Sequence, residues 1–364
     1  MIFMNDFRAD SEALINEELK AVERVLRSGW YVLGEEVRSF ESEWAARCGI
    51  AYAIGTGNGL DAIETGIRAL GLSGGDEVIT TPMTAFATVL GIMRAGATPI
   101  LADIDPATGL LDPRSVERCI TPRSKAVLLV HLYGQIRDMD VWVNLCRTHK
   151  IALIEDCAQS HLAQWNGHGG GSFGAWGTYS FYPTKNLGAP GDAGALVTND
   201  QSVAERARQI RNYGQSSRYV HSVVGMNSRL DEIHAAILRA RLAWLDGFTT
   251  RRREIANRYL QGIGNPRIQL LARPVEMANH VYHLFVVLSQ ERDRLSSFLR
   301  ERQIESISHY PVPVHLQPPA REMGRDPFGL PNAERHARAC LSIPCHPNMS
   351  DAHVDAVIVS LNEF

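Results

Sequence analysis

Short apolar runs alternate with amphipathic stretches of helical period through the first two-thirds of the chain. Apolar positions with a period near 3.6 predict helices, and short apolar runs bounded by turn residues predict buried strands. This alternation is typical of a layered α/β fold with a mostly parallel sheet flanked by helices. The predicted strands are Tyr52–Gly55, Glu77–Thr80, Pro99–Ala102, Ala126–Leu132, Ile151–Glu155, Thr178–Phe181 and Ala195–Thr198.

Capping signals mark two of the helices between these strands. The helix Leu60–Leu70 ends at Gly71. A second helix, Pro113–Cys119, has proline at its first position and follows Asp112, which we expect to be its N-cap.

The last third of the chain predicts a second domain. A long helix over Leu230–Phe248 leads into a part where Val281–Leu288 predicts a strand and Asp293–Arg302 a helix. We therefore expect a large domain over residues 1–248 and a smaller C-terminal α+β domain over residues 249–364, with the N-terminal helix also available to the small domain. The proline-rich stretch Tyr310–Pro331 predicts an extended, irregular loop. Such a loop either has a functional role or only connects two elements at the surface.

Composition narrows the class of protein. The chain has 364 residues and a net charge of -3, which gives no reason to expect nucleic acid or a membrane surface as a partner. The N-terminal stretch carries acids and lacks a long apolar core, so we expect neither a signal peptide nor a transmembrane helix, and a cytoplasmic location. Six scattered cysteines without a CxxC pair and histidines without ligand spacing predict no metal site.

Candidate chemistry centres on Lys185, which lies between a hydroxyl-rich run and a glycine-rich loop in GTYSFYPTKNLGAPGDAG. A lysine amine forms a Schiff base with an aldehyde only when it is neutral, which requires burial or nearby positive charge. Asp156 follows a predicted strand, where a buried carboxylate needs a cationic partner. A protonated pyridine ring would be such a partner.

Several sequence blocks, in this order, resemble the sugar-nucleotide aminotransferases of the DegT/DnrJ type, which are fold-type I pyridoxal-phosphate (PLP) enzymes. The resemblance covers nearly the whole chain. The blocks are SGWYVLG (Ser28–Gly34), GTGNGLDAI (Gly55–Ile63), DEVITTPMTAFAT (Asp76–Thr88), IALIEDCAQ (Ile151–Gln159), the Lys185 block (Gly177–Thr198), GMNSRLDEIHAAIL (Gly225–Leu238) and YPVPVHLQP (Tyr310–Pro318).

The resemblance implies a role for each cofactor-binding residue. Lys185 would carry PLP and move the proton, and Asp156 would hold the ring nitrogen protonated. Phe86 would stack on the ring and Gln159 would bind its hydroxyl, although a core phenylalanine and an ordinary loop glutamine are the alternatives. The phosphate would lie at the GTGNG turn, whose helix N-terminus favours negative charge unless it is a plain turn. The implied phosphate contacts are Thr56, Gly57, Asn58 and Ser180, with Asn227 from a second subunit.

Substrate contacts are implied for Tyr182, Arg229, Tyr310 and His315, whereas His309 has no match and is expected to be solvated. The retained lysine favours transamination over dehydration, because some relatives with histidine at this position are dehydratases. Thr184, Pro190, His161 and Gln164 differ from the commoner residues of the family and leave the sugar open.

The implied reaction moves an amino group from an amino acid, expected to be glutamate, to a keto sugar linked to a nucleoside diphosphate. A 3-keto-6-deoxyhexose on thymidine diphosphate is the expected acceptor. A 4-keto sugar or amino-cyclitol aminotransferase, another PLP reaction, and a regulatory protein with this fold remain alternatives. Because a polar, glycine-flanked segment precedes Asn227, we expect a homodimer with active sites built from both chains.

Overall fold

The computed structural model describes all residues from Met1 to Phe364. None of its helices is both long and apolar enough to cross a membrane. The twelve helices are α1 (Glu12–Ser28), α2 (Glu35–Cys48), α3 (Gly59–Ala69), α4 (Phe86–Arg94), α5 (Pro113–Cys119), α6 (Met139–His149), α7 (Gln201–Ile210), α8 (Glu232–Leu242), α9 (Leu245–Gly262), α10 (Arg292–Glu301), α11 (Pro331–Ala339) and α12 (Asp351–Glu363).

Fifteen strands form one large sheet and three small ones. The strands are β1 (Tyr52–Thr56), β2 (Glu77–Thr80), β3 (Thr98–Leu101), β4 (Ser124–Val130), β5 (Ala152–Asp156), β6 (Gln164–Trp165), β7 (His168–Gly169), β8 (Gly177–Ser180), β9 (Gly194–Thr198), β10 (Gln215–Ser217), β11 (Val220–His221), β12 (Gln269–Leu270), β13 (Phe285–Leu288), β14 (Gly324–Arg325) and β15 (Cys340–Ile343).

The large sheet has eight strands in the order β1-β9-β8-β5-β4-β2-β3-β14. Strand β9 runs antiparallel to both of its neighbours, and every other pair is parallel. The carboxyl ends of β1, β8, β5, β4 and β2 therefore lie along one edge. Ligands of open α/β sheets bind outside that edge. The predicted class, a mostly parallel sheet flanked by helices, is confirmed.

A smaller unit follows α8 in the chain. Strands β12, β13 and β15 form an antiparallel sheet, and its core joins helices α9, α10 and α12 through residues such as Tyr259, Leu295 and Leu361. Helix α1 packs on α8, whereas Ile2 before it forms a β-bridge with Ile304 of the smaller unit. The predicted boundary at residue 248 falls inside α9 and stays a prediction.

Local predictions were confirmed where a capping residue marks the end of an element. Asp112 caps α5, and its carboxylate accepts a hydrogen bond from the Arg114 amide at 3.0 Å. The predicted single helix Leu230–Phe248 is wrong, because the chain turns at Ala243 and Trp244 between α8 and α9. That turn places Leu245 in the core, while the Trp244 indole donates to Glu17 of α1.

The predicted strand Val281–Leu288 is half its expected length, because its first residues bond elsewhere. The amides of Val281 and Leu284 donate to the carbonyls of Gly134 and Tyr133 after β4, and only Phe285–Leu288 joins the small sheet. The proline-rich loop also differs from expectation, since it contains two short 3-10 helices and strand β14.

Asp326 ties this proline-rich segment to the large sheet. Strand β14 pairs with β3, and the Asp326 amide donates to the Leu101 carbonyl at 2.9 Å. Its buried carboxylate accepts from the Ser115 hydroxyl and forms an ion pair with Arg118 at 2.5 Å, both on α5. These contacts fix the segment that carries Tyr310 against the large domain.

We expect Asp326→Asn to lower the free energy of unfolding by about 2 kcal/mol, because it removes one partner of a largely buried ion pair. The midpoint of urea unfolding, followed by circular dichroism, measures this effect. Glu35→Gln changes an acid to its amide in an exposed pair with Arg38 and should leave the midpoint unchanged. Equal midpoints for the two variants would show that Asp326 does not stabilise the fold.

Candidate active site

Lys185 lies in a tight turn just beyond the carboxyl end of β8. Its amide donates to the Tyr182 carbonyl at 2.8 Å, and the Ala189 amide donates back to the Phe181 carbonyl at 2.8 Å. Removal from water lowers the pKa of the Lys185 ammonium to about 8, and the carboxylate of Asp156 acts in the opposite direction. A substantial fraction of the amine is therefore neutral near physiological pH, as a nucleophilic lysine requires.

Asp156 is the last residue of β5 and is only 5% exposed. Its carboxylate accepts hydrogen bonds from the Thr88 hydroxyl at 2.8 Å and the Ala158 amide at 3.1 Å. The Thr88 hydroxyl is in turn within 2.7 Å of the Thr84 hydroxyl. No lysine, arginine or histidine of the chain forms an ion pair with Asp156. A buried carboxylate without an ion-pair partner is suited to bind a positively charged ring nitrogen.

Gln159 is held in one orientation by the backbone. Its side-chain oxygen accepts from the Tyr133 amide at 2.6 Å, which fixes which end of the Gln159 side chain is the NH₂ group. That NH₂ group lies 3.4 Å from the Tyr310 hydroxyl. Gln159 therefore presents a donor on the side of Tyr310, as the predicted contact with a ring hydroxyl requires.

The GTGNG turn connects β1 to α3. The Thr56 hydroxyl donates to the Asn58 carbonyl at 2.9 Å, and Asn58 caps α3 by accepting from the Asp61 amide at 2.8 Å. The amides of Gly59 and Leu60, at the start of α3, have no acceptor within the helix. Free amides at the N-terminus of a helix favour a phosphate group.

Three residues distant in sequence, Ser228, Ser180 and Gly194, pack against this turn. The Gly57 amide donates to the Ser228 hydroxyl at 2.9 Å, and the Ser180 side chain lies so close to Gly59 that a Cβ there would approach it to 2.8 Å. Gly194, the first residue of β9, lies against the backbone of Asn58, where a Cβ would overlap it. Only small residues allow this approach of three chain segments.

The side chains of Asn227 and Arg229 form no hydrogen bond with the phosphate turn of their own chain. Asn227 is exposed and forms a β-bridge with Asn212. Arg229 donates to the Asn212 side chain at 3.2 Å and lies over the Tyr213 ring. Within the chain, the neighbouring Ser228 contacts the turn by accepting from the Gly57 amide. Delivery of Asn227 to a second subunit stays a prediction.

Of the other predicted site residues, Tyr182 lies beside Lys185 and Phe86 packs together with Tyr310, whereas His315 contacts α11. Phe86 begins α4 and packs with Tyr310 against one core cluster, and Tyr182 is 50% exposed beside Lys185. His315 is buried, with its Nε2 3.2 Å from Glu334 of α11. Its imidazole is thus engaged with α11 and is not brought to Lys185, so its contact with substrate stays a prediction.

The expectation that His309 is solvated is wrong. Its Nδ1 lies 2.8 Å from the Ser342 hydroxyl, and its carbonyl accepts from the Tyr133 hydroxyl at 2.6 Å. Burial, followed by the charge of Lys185, lowers the pKa of His309 to about 4. His309 is therefore a neutral part of the wall around Lys185.

Five residues around the site were not assigned a role from the sequence. Three of them, Thr88, Asn186 and Ser228, lie inside sequence blocks that were recognised, and this position is the signal that would have found them. The other two, Tyr133 and His283, come from chain segments without a motif. The five residues are Thr88, Tyr133, Asn186, Ser228 and His283.

His161 was noted only as a departure from the family. It is fully buried among the rings of Trp44, Tyr179 and Phe181, at centroid distances of 5.3 to 5.6 Å. Burial, followed by the charge of Lys185, lowers the pKa of His161 to about 3. The imidazole is therefore neutral beneath the site.

Comparison with known proteins agrees with this geometry. Residues 12–362 match the DegT/DnrJ/EryC1/StrS aminotransferase family. The chain belongs to this family. The predictions of the family and of a PLP-dependent aminotransferase are thereby confirmed. The residues present fit PLP: a lysine with a lowered pKa, a buried carboxylate without an ion-pair partner, and the N-terminus of α3 at the GTGNG turn.

Individual relatives cover nearly all of the chain. The dTDP-3-amino-3,6-dideoxy-alpha-D-galactopyranose transaminase of Aneurinibacillus thermoaerophilus is 44% identical over 364 residues, covering 100% of this chain and 99% of its own. A Geobacillus stearothermophilus relative named a pleiotropic regulatory protein is 41% identical and covers 99% and 98%. A crystal structure of S. venezuelae DesV in complex with a ketimine intermediate has a TM-score of 0.95 at 43% identity, covering 100% and 97%.

We expect Asp156→Asn to lower the pKa of the Lys185 amine further, because the only nearby charge that raises it is lost. In the cofactor-free protein, the rate at which an amine-selective reagent labels Lys185 should therefore reach its midpoint at lower pH. Mass spectrometry of the labelled peptide measures this rate. Asp192→Asn, at an exposed position of the same loop region, is the control. An unchanged midpoint would show that Asp156 does not act on Lys185.

Proposed function

We propose that this chain transfers an amino group from glutamate to a 3-keto-6-deoxyhexose linked to thymidine diphosphate. The observation that carries the proposal is that Lys185, whose pKa is lowered, and Asp156, a buried carboxylate without an ion-pair partner, both lie at the carboxyl edge of the large sheet. The name of the Aneurinibacillus relative, a transaminase for a 3-amino-3,6-dideoxy sugar on dTDP, supports the choice of acceptor.

PLP, when bound, supplies an aldehyde that takes up the amino group and a protonated ring that accepts electrons from the substrate carbon. Asp156 would hold the proton on the ring nitrogen, with Thr88 keeping the carboxylate in place. Gln159 would donate to the ring hydroxyl through the NH₂ group that Tyr133 orients. The Gly59 and Leu60 amides would bind the phosphate together with the Ser180 hydroxyl.

Lys185 acts as the general base and acid once its amine is free. It takes the proton from the alpha carbon of the amino acid, and in the second half of the reaction it returns a proton to the sugar carbon. A pKa near 8 allows either direction at physiological pH because both protonation states are populated. Because the amino group leaves the donor, and the keto acid departs, before the acceptor binds, the kinetics should be ping-pong.

A regulatory role without turnover is the alternative suggested by the name of the Geobacillus relative. Burial of an amine and a carboxylate without full pairing is costly, and such groups cluster where chemistry takes place. The geometry around Lys185, Asp156, Gln159 and the GTGNG turn supports such chemistry. The site therefore favours an enzyme.

The test is a panel of acceptors with purified protein and glutamate. We expect turnover with a dTDP-linked 3-keto-6-deoxyhexose and much slower turnover with the 4-keto isomer and with the same sugar on uridine diphosphate. Product is identified by mass spectrometry and nuclear magnetic resonance. Preference for the 4-keto sugar would overturn the proposed regiochemistry, and no turnover with any keto sugar would overturn the proposed reaction.

Lys185→Ala should lower kcat by at least about 100-fold, because it removes the group that moves the proton. The folded structure should persist, since the Lys185 side chain forms no ion pair, and circular dichroism checks this. Lys20→Ala, at an exposed position of α1, is the matched control and should retain activity. Substantial turnover by the purified Lys185→Ala protein would refute the assignment of the catalytic amine.

The homodimer is also proposed, with active sites shared between chains. Large apolar side chains are exposed in two segments, Trp30 and Tyr31 after α1, and Tyr219 and Val224 around the β10–β11 hairpin. Exposed apolar residues gathered in such segments are typical of protein interfaces. Asn227 follows the hairpin and is exposed in the isolated chain, which suits delivery of its side chain to a partner's phosphate turn.

Subunit mixing tests the shared site. If sites combine both chains, a mixed dimer of Lys185→Ala and Asn227→Ala chains has one site with both defects and one with neither. Activity should then rise well above that of either variant alone after subunit exchange, to at most half the specific activity of the unmodified dimer. Exchange is verified with differently tagged chains. No recovery despite exchange, with a damaging Asn227→Ala change, would place each site within one chain.

A further inference from the structure

Asn186, the residue after Lys185, connects the catalytic turn to the smaller unit. It is buried, and both ends of its amide are engaged. The NH₂ group donates to the Val281 carbonyl at 3.2 Å, and the oxygen lies 3.2 Å from Nδ1 of His283. Both partners belong to the segment that leads into β13.

These contacts fix the orientation of both side chains. The Val281 carbonyl can only accept, so the NH₂ end of Asn186 must face it and the oxygen end must face His283. That oxygen can also only accept, so Nδ1 of His283 carries the hydrogen. Burial, and then the charges of Lys185, Arg252, His309 and His161, lower the pKa of His283 well below its ordinary value. The ring is therefore the neutral Nδ1–H tautomer.

The segment that holds Asn186 is itself firmly anchored. The Ile136 amide donates to the Asn279 carbonyl at 2.8 Å, and the Val281 amide donates to the Gly134 carbonyl at 2.9 Å. The buried Arg252 guanidinium of α9 donates to the carbonyls of Tyr282 and His283, each at 3.3 Å. Asn186 thus binds a rigid support rather than a free loop.

We propose that Asn186 and His283 are positioning residues that hold the Lys185 amine in place from the small domain. Neither needs to touch substrate, and the proposal rests on the proposed role of Lys185 as the general base. A small displacement of a catalytic group lowers the rate strongly, because the proton must move between atoms in near contact. Loss of the hydrogen bond should therefore reduce kcat more than it changes substrate binding.

The test compares two amide replacements of His283. In His283→Asn the side-chain NH₂ lies where Nδ1 was, and in His283→Gln it lies near the place of Nε2. We expect His283→Gln, and likewise Asn186→Ala, to lower kcat by about 10- to 100-fold with KM for both substrates within about twofold. His283→Asn should recover most of the lost rate.

A second measurement separates this proposal from the proposed function. In the pyridoxamine phosphate form of the holoenzyme, where the amine of Lys185 is free, the pH profile of Lys185 labelling reports its surroundings. We expect the midpoint to rise in His283→Gln and Asn186→Ala, because a released lysine is better hydrated, and to stay unchanged in His283→Asn. This readout does not depend on which sugar is the substrate.

Any of three results would overturn the proposal. The first is an equal loss of kcat in His283→Asn and His283→Gln, with both proteins folded by circular dichroism. The second is a labelling midpoint in Asn186→Ala that matches that of the unmodified protein. The third is wild-type kcat in His283→Gln.

Discussion

The site depends on keeping two ionisable groups, Lys185 and Asp156, largely away from water without full charge pairing inside the protein. Charges buried in this way destabilise a fold unless the surrounding structure holds them. Here that structure is the common edge of parallel strands, because β5 ends at Asp156 and β8 leads into the Lys185 turn. PLP, when bound, would place a positively charged ring nitrogen beside the Asp156 carboxylate. Cofactor binding would therefore reduce the free-energy cost of burying this carboxylate.

The histidine side chains around Lys185 and Asp156 are neutral, so they add no further charge to the site. His161, His283 and His309 all have a lowered pKa, chiefly because of burial, and Lys185 contributes to each. Neutral rings fill space and offer hydrogen bonds without repelling a protonated lysine. A carboxylate at any of these places would hold Lys185 in its charged form, and the amine would then be a poor nucleophile.

Local signals in the sequence foretold the fold and the centre of the site. Asp112 with the following proline marked α5, and a lysine between hydroxyl and glycine runs marked the catalytic turn. The features that the sequence did not predict depend on contacts between residues distant in the chain. The break between α8 and α9 carries no glycine or proline, and it follows from the core position of Leu245. The contacts Gly57–Ser228 and Asn186–His283 join residues that no period or spacing relates.

The position of β9 has a consequence for synthesis on the ribosome. This strand lies between β1 and β8, so the phosphate turn after β1 meets its neighbours only through residues made much later. Gly194 must pack against Asn58, and Ser228 must reach the Gly57 amide. A nascent chain that ends before Ser228 therefore has no complete cradle for an anion. Capture of the cofactor is confined to the late stages of translation or to the finished chain.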